Sequence, residues 1–266
     1  MRIRNKNPKG EIRKVRLTNF AKRIFPKSLR FAARQLNWQR LYLQDKLRRP
    51  SDVKVYCPIA QQEFHSFPKD ITIANGARSR HRLFWLFLER ETEVLKGNHC
   101  VLHCAPQYGI QKRMETYTNL DYIPGDKFMP GYDYYEGVVN IDLLDLDFED
   151  ASLDYIICNR VMEHIPDDIQ AYKEMYRTLK KGGIAYISVP MDMEMEKTHE
   201  TYEDEENRIR FYGQWDHVRL YGRDIKDRIE SVGFSVEFNT YSDQFDEEEF
   251  KKYGLTKDTI IIAKKL

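Results

Sequence analysis

Residues 138–190 alternate apolar runs with polar breaks at a spacing that leaves few folds open. One apolar run, 138–141, ends in Asp142, and a second, 153–158, ends in Asn159. Residues 167–181 then carry Ile169, Tyr172, Met175, Tyr176 and Leu179 on one helical stripe, which the spacing closes with the left-handed stop Gly182-Gly183 before a third apolar run, 184–189. Strands separated by crossover connections predict a parallel sheet, because parallel neighbours cannot be joined by a hairpin. Sheets of that kind bind ligands at the carboxyl ends of their strands, and here those ends are polar and specific.

The pattern extends in both directions. Upstream, 99–105 reads as a strand, 106–116 as a helix after a tight turn, 120–123 as a second strand ending at Gly125-Asp126, and 137–141 as the third. Downstream, 223–232 reads as a helix ended by Gly233, and 234–241 with 259–263 as a terminal antiparallel pair. The expected fold is therefore α/β: a Rossmann-like, seven-stranded, mostly parallel sheet with helices on both faces, plus a basic helical N-terminal extension. The divisions expected are 1–52 for that extension, 53–95 for an irregular module ending in a helix from 79, and 96–266 for the main domain. Residues 191–221 form a polar insertion with few strand or helix signals, the length and composition of a lid.

Charge separates the front of the chain from the rest. The first fifty residues hold sixteen Lys and Arg against Glu11 and Asp45, while the remainder holds 27 basic and 40 acidic residues. Residues 1–16 read as a disordered basic arm, and 18–47 as an amphipathic helix broken near Pro26, with Phe20, Ile24, Leu29, Phe31, Leu36, Trp38, Leu41 and Leu43 among basic residues. Such a helix docks on its own domain, lies on an anionic membrane surface, or covers nucleic acid. No apolar stretch approaches the ~20 residues of a membrane span, and no apolar core follows the charged N-terminus as in a secretory signal. Four cysteines (Cys57, Cys100, Cys104, Cys158) lack framework spacing and three lie in apolar runs, which suggests reduced, buried thiols and a cytoplasmic setting.

The ordered set Asp142, Phe148, Asp154, Asn159, Glu163-His164 and Gly182-Gly183 resembles the second half of a class I S-adenosylmethionine-dependent methyltransferase. That resemblance implies S-adenosylmethionine as cofactor and S-adenosylhomocysteine as product. It implies that Asp126 takes the ribose hydroxyls, Asp142 with Leu143 beside it holds the adenine, and Asn159 lies beneath the sulfonium. The first loop, His103, Ala105, Pro106, Gln107 and Gly109, would face the methionine part, although only Gly109 keeps the family's glycine pattern. Glu163 and His164 would open the next helix and support the site.

A narrower resemblance covers about residues 57–240. One bacterial branch of these enzymes has a His-x-Ala-Pro-Glu first loop, two cysteine pairs ahead of an Arg-His-Arg helix, and a late Phe-Gly-Gln-x-Asp-His-Val-Arg-x-Tyr-Gly motif. The chain carries Arg80-His81-Arg82 and Tyr212-Gly213-Gln214-Trp215-Asp216-His217-Val218-Arg219-Leu220-Tyr221-Gly222. Four thiolates would make a closed zinc site, but the four positions here are Cys57, Ala60, Thr72 and Asn75, so the knuckle is expected as a packed loop without zinc, and no metal site is read elsewhere. His65 and His81 are the other nitrogen donors near it.

Within the late motif the side-chain chemistry makes His217 the candidate base, Asp216 its orienting partner, and Arg219 a holder of a phosphate or carboxylate on the acceptor. The same three residues could instead be a hydrogen-bonded network fastening the lid. The favoured expectation is O-methylation of a small molecule or glycan, with the basic extension presenting a lipid-linked acceptor at the inner membrane face. An RNA or DNA methyltransferase is less favoured, because neither an amino-methylation motif nor a Pro-Cys loop is present. A binding module that has lost the cofactor is the third alternative.

Overall fold

The computed structural model describes residues 27–47, 54–130, 132–200 and 204–266. The basic arm 1–16 and the break expected near Pro26 lie outside them. The first helix, α1 (Lys27–Leu47), turns one face to the domain: Leu41 and Tyr42 pack on the core, the Trp38 ring lies 5.9 Å from that of Tyr108, and Gln62 Nε2 donates to the Tyr42 hydroxyl at 3.0 Å. Leu29, Leu36, Leu43 and Leu47 are exposed on the same helix.

The knuckle positions do come together. A hairpin of β1 (Val55–Cys57) and β2 (Gln62–Phe64) places Cys57 Sγ where it accepts from Ala60 N–H at 3.5 Å and from the Thr72 hydroxyl at 3.4 Å. Asn75 Oδ1 closes a local turn by accepting from Ala77 N–H. The next helix, α2 (Ser79–Glu91), buries Leu83, Phe84, Trp85, Leu86, Phe87 and Leu88, so it is apolar nearly all round, as a helix enclosed by the core must be. Buried Arg82 ties this module to the C-terminal part of the chain. Its guanidinium donates to the carbonyls of Tyr253, Gly254 and Ala77, to Thr72, and to the Asp70 carboxylate.

The main sheet follows as β3 (His99–Cys104), α3 (Tyr108–Met114), β4 (Leu120–Asp126), β5 (Val139–Asn140), β6 (Leu153–Asn159), α4 (Asp168–Thr178) and β7 (Leu179–Ser188). After it come β8 (His199–Glu200), α5 (Glu205–Tyr212), β9 (Arg219–Leu220), α6 (Ile225–Glu230), β10 (Phe234–Asn239), α7 (Glu247–Tyr253) and β11 (Ile260–Lys265). Seven strands pair in the order β10-β11-β7-β6-β3-β4-β5, with β11 alone antiparallel to its neighbours. The chain runs outward from β3 to β5 and returns to β6 on the other side of β3. The strand order reverses there, where such sheets open a crevice. The mostly parallel Rossmann-like sheet and the antiparallel terminal pair are as the sequence predicts.

Three local expectations are corrected. The helix does not run to Lys181: it ends at Thr178, whose hydroxyl returns to the Glu174 carbonyl, and Leu179 is already strand. Gly182, at φ +82°, therefore serves an irregularity inside β7, and a Cβ at Gly183 would stand 2.9 Å from the Lys180 carbonyl and 3.0 Å from that of Asp154. Glu163 and His164 do not open a helix but form a 3-10 turn (Met162–His164), and α4 begins only at Asp168 behind the Asp167 cap. The insertion 191–221 is folded, with β8, β9 and α5, the last closed by Gly213 at φ +80°.

Candidate active site

The carboxyl ends of β3, β4 and β5 carry the residues expected to meet the cofactor. Gly125, in β4, lets the chain pass close to Ile141, whose side chain a Cβ would meet at 2.6 Å. This positions Asp126 at the strand end, half-buried, where burial pushes its carboxyl up against the pull of the Lys127 N–H and the His164 charge. Asp142 lies just past β5. Partial burial works against its ionisation, but the Lys127 ammonium at 2.6 Å and the Leu144 N–H outweigh it and hold the carboxyl below its ordinary range. Leu143 beside it is buried.

The first loop departs further from expectation. Ala105 stands exposed at φ +47°, a left-handed conformation that favours glycine, and Pro106 is buried behind it. His103 is turned into the core: it is 2% exposed, its Nδ1 lies 2.8 Å from the Tyr122 hydroxyl, and burial drives its pKa down to about 3. Gln107 caps α3, accepting from Ile110 N–H at 3.1 Å while its Nε2 donates to the Asn75 carbonyl at 2.9 Å. Gly109 lets that helix close on Asn75, whose side chain a Cβ would meet at 2.8 Å. The degenerate knuckle thus braces the first loop, and the amide of Gln107 does what a carboxylate cannot, donating to a backbone carbonyl.

Beyond the ends of β6 and β7 a cleft of about 1090 Å³ opens under the folded insertion. Arg80, Arg160, Glu163, His164, His217 and Lys257 are among its lining residues. Asn159 ends β6 and accepts from the Ser188 hydroxyl at 3.1 Å across the pair. Arg160, at φ +59°, donates from one terminal guanidinium nitrogen to both carboxylate oxygens of Asp258, at 2.8 and 2.9 Å.

The late motif explains itself residue by residue. Gly213 ends α5, Val218 N–H donates to the Glu163 carbonyl at 2.9 Å, and Gly222 passes so close to the backbone of Lys197 that a Cβ would stand 2.7 Å away. Arg219, only 1% exposed, donates to Glu200 at 2.9 Å and to the carbonyls of Met162, Ile165 and Pro166. Arg228 joins Glu200 to Asp168, which also accepts from the Tyr221 hydroxyl at 3.0 Å. The expected substrate-holding role of Arg219 is corrected by this geometry, since its guanidinium is spent on clamping the 162–166 loop.

The pairing of Asp216 with His217 is corrected as well. Asp216 accepts from Gln214 at 2.8 Å and lies 3.5 Å from His164 Nδ1. His217 turns to Glu163 instead, Nε2 to Oε1 at 4.0 Å, with its ring edge-to-face on His164 at 4.7 Å between centroids. Burial and then the His164 charge lower the His217 pKa to about 4, so its imidazole is neutral near neutral pH. Burial pushes the Glu163 carboxyl upward. The grouping of Glu163, His164 and His217 is not evident in the sequence. The adjacency of Glu163-His164 to the Asn159 strand end, with a histidine in the late motif, was the one signal pointing to it.

Residues 108–187 match the family described as a methyltransferase domain, a span that includes Asp126, Asp142, Asn159, Glu163 and His164 but neither Gln107 nor His217. A Mycolicibacterium smegmatis protein named "Probable S-adenosylmethionine-dependent methyltransferase" is 30% identical over 103 residues, 36% of this chain and 34% of that protein. A demethylmenaquinone methyltransferase of Staphylococcus epidermidis is 40% identical over 47 residues, 18% of this chain and 20% of that protein. The chain thus spans about a third or less of the curated relatives it matches. A solved S-adenosylmethionine-dependent methyltransferase from Archaeoglobus fulgidus is similar at 19% identity and a TM-score of 0.46, over 69% of this chain and 93% of that one.

Proposed function

We propose that the chain transfers the methyl group of S-adenosylmethionine to an oxygen of a small-molecule or glycan acceptor. The observation that carries this is a juxtaposition. Two carboxylates, Asp126 and Asp142, stand at the ends of the adjacent strands β4 and β5, and a large polar cleft lined by Glu163, His164 and His217 opens beyond the ends of β6 and β7, on the other side of β3. In this reading Asp126 accepts from the ribose hydroxyls, an arrangement in which an ionised acceptor is strongest. Asp142 and Leu143 hold the adenine, Ala105 and Pro106 pass the methionine part, and Asn159 lies under the sulfonium. His103, Gln107 and Gly109 shape the loop from behind rather than touching the cofactor.

The sulfonium makes the methyl carbon electrophilic, so the protein must align an oxygen with it and dispose of a proton. Proton removal falls to the Glu163, His164 and His217 cluster. His217 is in the accepting form near neutral pH, although burial leaves it a weak base by itself. Arg80, Arg160 and Lys257 stand in the cleft among the carboxylates Glu163, Asp192, Asp243 and Asp258, and in this reading Arg80 meets a phosphate or carboxylate on the acceptor. The exposed Leu29, Leu36, Leu43 and Leu47 of α1 would rest on an anionic membrane surface and bring the cleft to a lipid-linked acceptor. Among the described residues no helix is long and apolar enough to cross a membrane.

The test is incubation with methyl-labelled S-adenosylmethionine in the presence of a lipid-linked glycan fraction or of total RNA. Base-stable label in the organic phase is the expected result. Label entering RNA, or no fraction at all, would overturn the acceptor class.

A further inference from the structure

We infer that Glu163, His164 and His217 form a binding site for one divalent transition-metal ion in the acceptor cleft. Each residue offers one ligand atom, and the three atoms lie within 4.8 Å of one another. Glu163 is 1% exposed, yet its Oε2 has no hydrogen-bond partner among the described residues. A buried carboxylate left unpaired is costly. The separation of 4.0 Å between His217 Nε2 and Glu163 Oε1 is too long for a hydrogen bond. Ligand atoms about 2.0–2.2 Å from a tetrahedral ion stand roughly 3.4 Å apart, so small side-chain adjustments would close the triangle around a cation.

The surroundings are those of a built site. The 3-10 turn that bears Glu163 and His164 is clamped by Arg219 through the Met162 and Ile165 carbonyls, and Val218 N–H fixes the Glu163 carbonyl. His164 Nδ1 faces Asp216, 3.2 Å from its carbonyl and 3.5 Å from its carboxylate, which leaves Nε2 as the ligand atom. Outer partners of this kind orient metal-ligating histidines. Two imidazoles and one carboxylate suit zinc, manganese or ferrous iron better than calcium or magnesium, and a three-ligand set leaves positions open toward the cleft.

Binding of the ion stands independently of the proposed reaction, but its role rests on that reading. An acceptor hydroxyl in an open position would bind the ion through oxygen and release its proton to water in the cleft, so that the cluster would dispose of the proton through the ion rather than as a free base. The oxygen then forms a bond to the methyl carbon, the carbon–sulfur bond breaks with its electron pair going to sulfur, and S-adenosylhomocysteine leaves. His217 would serve as a ligand, for which its weak basicity is no handicap.

The test uses the full chain, dialysed against a chelator and titrated with zinc chloride by calorimetry and with manganese by electron paramagnetic resonance. One ion per chain is expected, with a rise in melting temperature that needs no variant. Glu163→Gln and His217→Ala should each weaken binding by at least the ~10–100-fold that loss of an outer partner costs. Cys57→Ser, in the front module, should leave it unchanged. No stoichiometric uptake by the folded wild type, binding unaltered by both cleft variants, or loss in Cys57→Ser would overturn the site. S-adenosylhomocysteine titrated into the chelated protein keeps the two claims apart. Cofactor uptake without metal uptake sinks the ion site alone. Metal uptake without cofactor uptake leaves the ion site standing and sinks methyl transfer.

Discussion

Arg219→Met tests whether the late motif is a clamp or a substrate ligand. The substitution keeps an apolar stem of similar length but removes every donor. Three backbone carbonyls, of Met162, Ile165 and Pro166, lose their partner in a position that is 1% exposed, and Glu200 loses a contact at 2.9 Å. Glu200 and Asp168 keep Arg228, so neither carboxylate is stranded. Hydrogen bonds to charged groups contribute about 1.5–3 kcal/mol each but do not add, and a buried acceptor left without a donor costs about 1–3 kcal/mol, so three carbonyls stripped together should cost about 3–5 kcal/mol. That is a large part of the ~5–15 kcal/mol by which domains are stable, and at ~2–4 °C per kcal/mol the melting temperature should fall by roughly 6–20 °C. Urea unfolding should show the lower midpoint with an unchanged slope. Arg223→Met, which removes an exposed pair to Glu196 at 3.6 Å, should change stability by less than ~0.5 kcal/mol. If Arg219→Met cost no more than that control, the guanidinium would not be a structural clamp and its assignment to the acceptor would return.

Stability should also fall on acidification. His103 and His81, each with a folded pKa lowered by burial to about 3, stay neutral while the unfolded chain takes up protons as pH drops below the ordinary value of about 6.5. Their contribution is complete above that value and lost as pH falls toward about 3, at up to ~1.4 kcal/mol per pH unit and proton. His103→Gln should flatten the slope by about one proton in urea melts between pH 6 and 4, and equal slopes would refute the assignment. Gln107→Glu keeps the acceptor for Ile110 N–H but cannot donate to the Asn75 carbonyl, so a loss of about 1 kcal/mol is expected in thermal melts. No loss would remove the reason for an amide there. Gly222→Ala would drive a Cβ to 2.7–2.9 Å from the backbone of Lys197 and Met195, and should destabilise by ~1–3 kcal/mol. Limited proteolysis should then cut first within the insertion, and wild-type resistance would contradict the close approach.

The sheet was legible because its information is local. Runs such as 153–158 and 184–189 are apolar apart from Asp154 and Ser188, near-continuous as in parallel strands covered on both faces. The helix boundary at Thr178 was not, because Gly182-Gly183 has the composition of a helix stop whether it ends a helix or relieves a bulge. Glu163-His164 misled for a related reason: a place just after a strand end does not say whether one turn or a full helix follows. Arg219 and Asp216 were assigned by their chemistry, but their partners, Glu200 and His164, are distant in sequence. Only the folded insertion brings His217 to Glu163. Gln107 was visible as a departure from the branch pattern, and its reason, the Asn75 carbonyl, lay 32 residues away.

The most direct measurement is titration of the full chain with S-adenosylhomocysteine by calorimetry, alongside Asp142→Ala and Asp126→Ala. One molecule bound per chain is predicted, with each variant weakening binding by roughly tenfold or more, the loss of one charge-assisted hydrogen bond worth about 1.5–3 kcal/mol. Binding that ignores both carboxylates would place the cofactor elsewhere. A folded wild-type chain that takes up none would contradict the proposed methyl transfer at its root.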